Sequence, residues 1–158
     1  MTRIEQSIDV QVPVRTAYDQ WTQFESFPHF MEGVKEVRQL DDRHLHWRAE
    51  VAGKEREWDA RITEQVPDKR VAWTSIAGEE NGGVVTFHQL DPQTTRVMVQ
   101  LEFAPEGPAE QVGGALGLAQ RRVKGDLERF KEFIESRGQA TGAWRGEVRQ
   151  GEGTYPNP

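Results

Sequence analysis

Cysteine is absent from this chain of 158 residues, which excludes disulfides, thiolate nucleophiles and cysteine-ligated zinc or iron–sulfur sites. Long hydrophobic runs are absent too, since none approaches the roughly 20 residues that a membrane-spanning helix needs. The N-terminal residues alternate polar and apolar side chains and lack the apolar core of a signal peptide. We therefore expect a cytoplasmic protein with no membrane span.

Basic side chains are fewer than acidic ones in this chain. The chain has 20 Lys and Arg residues against 26 Asp and Glu, a formal net charge of −6. This balance disfavours general attraction to nucleic acid or anionic lipid, so we expect no nucleic-acid partner. The length is typical of one domain, which at this size buries enough surface to fold without cross-links.

The polarity pattern predicts an α+β protein: one strand, two short helices, six more strands and one long helix. Period-two alternation indicates the strands, and turn-forming residues separate them. The predicted strands are Arg3–Val12, Val34–Leu40, His44–Val51, Glu55–Val66, Arg70–Ile76, Val84–Leu90 and Arg96–Phe103. Short connections make consecutive strands antiparallel. An apolar stripe from Ala109 to Arg137 predicts the helix that covers their apolar face.

Two finer features are also predicted. Gly53-Lys54 is expected to form a two-residue turn that sets Ala49 opposite Trp58 and Arg48 opposite Asp59. The stretch 139–158 is rich in glycine and proline, so we expect it to be a mobile tail outside a domain of residues 1–138.

The candidate ligand-binding residues lie mainly on the predicted apolar faces. Three tryptophans on consecutive strands share the inward register, and Ser75 shares the register of Trp73. His29 lies in a Phe-Pro-His-Phe turn near the presumed entrance, where it could orient a polar group. The full candidate set is Trp47, Trp58, Trp73, Ser75, Phe87, Val99, Leu116, Val123 and His29. The alternative is that these residues form an ordinary hydrophobic core.

Metal binding is not predicted. His44 and His46 alternate with Leu45 and Trp47, which puts both imidazoles on the charged, outward face. Zinc needs at least a third ligand and a sequestered setting.

Five stretches, taken with the order of elements, resemble the START-like (SRPBCC) superfamily, in particular its polyketide cyclase/dehydrase and lipid-transport branch. The stretches are Val12–Asp19, Phe27–Val34, Val66–Trp73, Gly83–Phe87 and Leu127–Lys131. The resemblance implies a helix-grip fold, in which a curved seven-stranded antiparallel sheet wraps around the long C-terminal helix. It also implies an internal cavity.

The same resemblance bears on catalysis. Cyclases of this superfamily carry an Arg and a Ser or Thr inside the cavity on central strands, where they polarise a ketone. The corresponding positions here hold Ala60 and Ile62, while Arg61 has the opposite register. No catalytic residue is therefore identified.

The leading hypothesis is the binding of a hydrophobic small molecule, such as a lipid, polyketide or isoprenoid, with no cofactor. One alternative is an enzyme of the polyketide cyclase or dehydratase type. The other is a ligand-free regulatory or interaction protein that uses its surface or the exposed anchors Trp144 and Tyr155. A homodimer is compatible with the sequence, which does not identify the ligand.

Overall fold

The computed structural model describes residues 2–51, 53–103 and 114–149. The strands are β1 (Thr2–Val10), β2 (Val34–Gln39), β3 (His44–Val51), β4 (Lys54–Val66), β5 (Arg70–Gly78), β6 (Asn81–Asp91) and β7 (Thr94–Phe103). The helices are α1 (Val14–Trp21), a short 3₁₀ helix (Phe24–His29) and α2 (Gly114–Arg137). The predicted α+β order of elements is confirmed.

The seven strands form one antiparallel sheet in the order β1-β7-β6-β5-β4-β3-β2. Consecutive strands are neighbours except β1, which pairs with β7. Leu127, Phe130 and Ile134 of α2 are buried in the core that covers one face of this sheet. The predicted helix-grip architecture is therefore confirmed. No helix within the described residues has the length and apolar character needed to cross a membrane.

The predicted register of β3 and β4 is wrong. Val51 pairs with Lys54, so Trp47 lies opposite Trp58 and Arg48 lies opposite Glu57. Gly53 in the connection takes a φ of 82°, a conformation in which glycine is favoured. The pairing differs from the prediction by two residues, and an even displacement leaves every side chain on its expected face.

Residues 139–149, here called the C-terminal strap, follow α2 and fold back onto the body. Gly138 ends the helix with a φ of 74°. The Thr141 backbone N–H then donates to Gln20 Oε1 over 2.8 Å. The Trp144 N–H donates to Thr22 Oγ1 over 3.1 Å. Two buried polar side chains near the end of α1 are thus hydrogen-bonded by the strap.

The end of the strap adds a strand-like bridge and an ion-pair cluster. Val148 and Gln65 exchange both backbone hydrogen bonds, at 2.7 and 2.9 Å, along the edge of β4 that β3 leaves uncovered. The Arg145 guanidinium contacts the Asp19 carboxylate and lies 2.7 Å from Asp68 Oδ2. Val148 itself is buried.

The prediction of a mobile tail is therefore wrong for residues 139–149. Trp144 packs partly buried against the core instead of standing out as an exposed anchor. Composition misleads here because glycine-rich chain still docks where charged and backbone partners are available. Tyr155 and the rest of 150–158 lie outside the described residues.

The outward face of the sheet carries His46 between two carboxylates. Its Nδ1 lies 2.6 Å from Asp59 Oδ1 and its Nε2 lies 3.1 Å from Glu57 Oε1. Hydrogen bonds to Asp59 and then Glu57 raise the pKa of His46 above the usual 6.5. The folded state therefore binds this proton more tightly than the unfolded chain does.

This linkage predicts a pH-dependent effect of His46→Gln. The stabilisation is fully present below the unfolded pKa of 6.5 and is lost as pH rises through the higher folded value. The substitution should cost up to about 1 kcal/mol near pH 5.5 and almost nothing near pH 9, measured by urea unfolding. His88→Gln is the control, because the ring of His88 contacts a neutral group, the Thr86 hydroxyl. A His46 effect independent of pH would contradict the linkage.

Candidate functional site

One half of the inner sheet face is filled by packed aromatic rings. The rings of Trp21 and Phe130 lie 5.2 Å apart, as do those of Phe30 and Phe130. The Tyr18 and Phe87 rings are 5.4 Å apart, edge to face. This half is close-packed core, in which such contacts add to the apolar burial. Two predicted site residues, Phe87 and Val99, belong to it and are each 5% exposed.

The other half of the inner face is less completely buried. Trp47, Trp73 and Val123 pack against the core but remain half-buried, as does Leu101 on β7. Trp58 is half-buried as well and stacks on Trp47, with ring centroids 5.6 Å apart and planes 11° apart. This less buried part of the interior, which carries four of the predicted residues, is here called the open half.

The indole N–H groups of Trp47 and Trp58 lack acceptors. Both Nε1 atoms are buried, and neither finds a hydrogen-bond partner in the part of the chain that the structure describes. A buried donor left unpaired costs about 1–3 kcal/mol. The open half therefore presents two aligned aromatic rings with unsatisfied polar edges.

A glycine makes room for Trp73. Gly83 on β6 lies opposite Trp73 on β5. A Cβ at Gly83 would lie 2.9 Å from Trp73 Cζ2 and 2.5 Å from the Gln100 carbonyl oxygen. The indole can therefore lie across the neighbouring strand only because this position has no side chain. In the sequence, Gly83 is marked only by the family resemblance, and no local pattern indicates this role.

Ser75 and Arg56 supply polar groups on the inward register. Ser75 lies opposite Ala60, and its Oγ accepts a hydrogen bond from the Asn81 N–H over 3.0 Å. Arg56 lies opposite the buried Ala49, so it shares the inner face. Its side chain is only 10% exposed and lies 3.1 Å from a carboxylate oxygen of Glu79. Arg56 is not among the predicted site residues, although period-two alternation counted back from Trp58 places it on the inner face.

A second polar pair is buried deeper in the interior. The Tyr18 hydroxyl and the Gln65 amide lie close enough to interact, but neither makes a well-formed hydrogen bond within the described residues. Burial raises the pKa of Tyr18 to about 12, so it stays a neutral donor. Gln65 is 1% exposed and lies opposite buried Val71, because an irregularity near Ile62 shifts the alternation of β4. Simple alternation gives no signal for Gln65.

Two predicted residues do not join the open half. His29 is exposed on the 3₁₀ helix, where its ring stacks on Phe133 at 6.1 Å. The side chain of Leu116 lies outside the described residues. The structure therefore gives no contact between either residue and the stacked tryptophans.

Polar contacts fix α2 beside the stacked tryptophans. Arg122 donates to the Glu50 carbonyl over 2.7 Å, and Arg129 donates to the Phe30 carbonyl over 3.0 Å. The Asp126 carboxylate accepts from the Glu32 N–H over 2.9 Å. Burial raises the pKa of Asp126, although Arg129 lies beside it. These contacts hold α2, with Val123 on it, against the segment before β2 and the end of β3.

Comparison with known proteins identifies the family. The model of a family described as polyketide cyclase/dehydrase and lipid transport matches residues 10–132. A Streptomyces lincolnensis protein is 58% identical over 149 residues, which cover 94% of this chain and 99% of the relative. That relative is described as an uncharacterized 17.2 kDa protein in the melC2-rnhH intergenic region.

Solved structures agree on the fold. A START superfamily protein from Mycobacterium smegmatis has a TM-score of 0.72 and 14% identity, with 85% of this chain and 98% of that one covered. The Zhui aromatase/cyclase from a Streptomyces species has a TM-score of 0.73 and 16% identity, with 90% and 99% covered. At these identities the likeness concerns the fold. The family-model match over residues 10–132 and the 58% identical relative show that this chain belongs to the polyketide cyclase/dehydrase and lipid-transport family.

Proposed function

We propose that the open half binds a hydrophobic small molecule of the lipid, polyketide or isoprenoid kind. The observation that carries the proposal is the set of half-buried inward tryptophans, Trp47, Trp58 and Trp73, beside an otherwise filled core. Aromatic rings offer a large apolar contact area, and burial of apolar surface stabilises binding by roughly 25 cal/mol per Å². The Ser75 oxygen already accepts from Asn81, so its hydroxyl hydrogen serves as a donor to the ligand.

Titration of the protein with a fluorescent fatty acid and with an aromatic probe tests the proposal. We expect saturable binding that shifts tryptophan fluorescence, and about tenfold weaker binding for Trp73→Ala, since the indole lies within the inner face. Trp144→Ala in the strap is the matched control and should bind as the wild type does. Circular dichroism confirms that each variant is folded.

Failure to bind any member of a broad apolar library would overturn the proposal and favour a ligand-free interaction protein. A cytoplasmic location is the accompanying proposal, since it suits a chain without cysteine.

A second candidate function is catalysis on a ketone-bearing substrate of the polyketide type. It is favoured by the inward, mostly buried Arg56 and by the buried donors of Tyr18 and Gln65. Preorganised donors of this kind stabilise charge that develops on a carbonyl oxygen. Turnover of a polyketide analogue, lost in Arg56→Gln while binding persists, would establish catalysis in place of simple binding.

A further inference from the structure

We infer that the ligand carries an acceptor oxygen, a carbonyl or a carboxylate, that receives the indole N–H groups of Trp47 and Trp58. The inference rests on the proposed binding function and narrows it. It selects oxygenated aromatic or polycyclic compounds over pure hydrocarbons of the same shape.

The indole groups of Trp47 and Trp58 are hydrogen-bond donors only. An indole nitrogen donates one hydrogen bond and accepts none. Trp47 and Trp58 face each other across β3 and β4 with nearly parallel rings. Both nitrogens are buried and unpartnered among the described residues. Only an acceptor that arrives from outside these residues can satisfy them.

Several apolar side chains pack around the pair of indoles. The Phe27 ring lies 5.6 Å from the ring of Trp47. Leu45, Ala49 and Ala60 flank the pair on the same face and are buried. These neighbours have no side-chain acceptor, so a repacking of their side chains cannot satisfy the indoles.

Arginine side chains lie near this end of the inner face. Arg56 precedes Trp58 by two positions on the inner face, and its guanidinium forms an ion pair with Glu79. On α2, Arg122 donates to the Glu50 carbonyl beside the end of β3. The carboxylate of Asp126 on the same helix is occupied by the Glu32 N–H and by Arg129. Two cationic side chains, Arg56 and Arg122, therefore lie near this end of the inner face, and positive charge favours an acceptor over a hydroxyl or amine donor.

The competing explanation is a permanent acceptor, either a buried water or a group of the chain outside the described residues. Acetylnaphthalene and ethylnaphthalene, substituted at the same ring position, separate the two explanations. The two probes have the same ring and nearly the same size, and they differ in the carbonyl oxygen. If a permanent acceptor already satisfied the indoles, the affinities for the two probes would not depend on the carbonyl oxygen.

The measurement is the affinity of each probe for the wild type, Trp47→Phe, Trp58→Phe and the control Trp144→Phe. Phenylalanine keeps an aromatic ring and removes only the donor and part of the contact area. We expect the preference for the ketone to fall about fivefold or more in Trp47→Phe and Trp58→Phe and to stay unchanged in Trp144→Phe.

Proton–nitrogen NMR of the wild type gives an independent reading that needs no variant to fold. The indole N–H signals of Trp47 and Trp58 should move downfield with the ketone and not with the hydrocarbon. If both probes bind with a preference that neither substitution changes, and the signals respond alike, the proposed function stands and this inference is overturned. If neither probe binds, both are overturned.

Discussion

Truncation after Gly138 is expected to lower the free energy of unfolding by about 5 kcal/mol or more, and the melting temperature by roughly 10–20 °C. The cut removes Arg145, which leaves the Asp19 carboxylate, 12% exposed, without its closest cation. It also removes the two hydrogen bonds between buried Gln20 and Thr141. The apolar surface that buried Val148 covers becomes exposed to solvent. Differential scanning calorimetry measures the change.

A pair of point substitutions separates the ion-pair cluster from the rest of the strap. Arg145→Gln should cost about 2–4 kcal/mol, because Asp19 and Asp68 lose a shared and partly buried partner. Arg149→Gln removes a solvent-exposed pair with Glu147 and should change stability by less than about 0.5 kcal/mol. Equal melting temperatures for the truncated and full chains would show that the strap leaves the body in solution.

Substitution of Gly83 by alanine is expected to destabilise the protein by about 3 kcal/mol and to displace Trp73. The added methyl group would lie 2.5 Å from the Gln100 carbonyl oxygen and 2.9 Å from both Leu101 Cδ2 and Trp73 Cζ2. Tryptophan fluorescence should therefore change, and the ligand affinity proposed for the open half should fall. Urea unfolding and the probe titrations measure the two effects.

The control is the same substitution at Gly117 in α2, where a new Cβ meets nothing within 4 Å. Alanine is the better helix former there, so Gly117→Ala should stabilise the protein by up to about 1 kcal/mol. Should Gly83→Ala keep wild-type stability and fluorescence, the close approach of Trp73 to β6 would not be required for folding.

The order of the elements could be predicted because it depends on local signals. Alternation and turn residues predict all seven strands, and β3 has the predicted bounds, His44–Val51. The pairing of β3 with β4 could not be predicted as well, since glycine at position 53 suits more than one turn. Both alignments also bury Trp47 and Trp58, so burial did not distinguish them.

The candidate site was harder to predict because its decisive features are not local. Gln65 faces inward only because β4 is irregular near Ile62, and no residue type marks that irregularity. Arg145 finds Asp19 across 126 positions of sequence. Composition alone predicts a mobile tail there. It indicates how much conformational entropy is lost when the chain is ordered, but it does not show which hydrogen bonds and ion pairs compensate for that loss.

The strap also determines when the molecule can be completed during its synthesis. The hydrogen bond between the Trp144 N–H and the Thr22 hydroxyl cannot form until Trp144, which follows Thr22 by 122 positions, has been synthesised. At about 5–20 residues per second, a ribosome needs roughly 6–24 s to cover that distance. Val148 follows Gln65 by 83 positions, and until Val148 emerges the backbone groups of Gln65 at this edge of β4 lack their partner and can pair with another nascent chain. A chaperone that binds exposed strands would therefore act on this edge before the strap emerges.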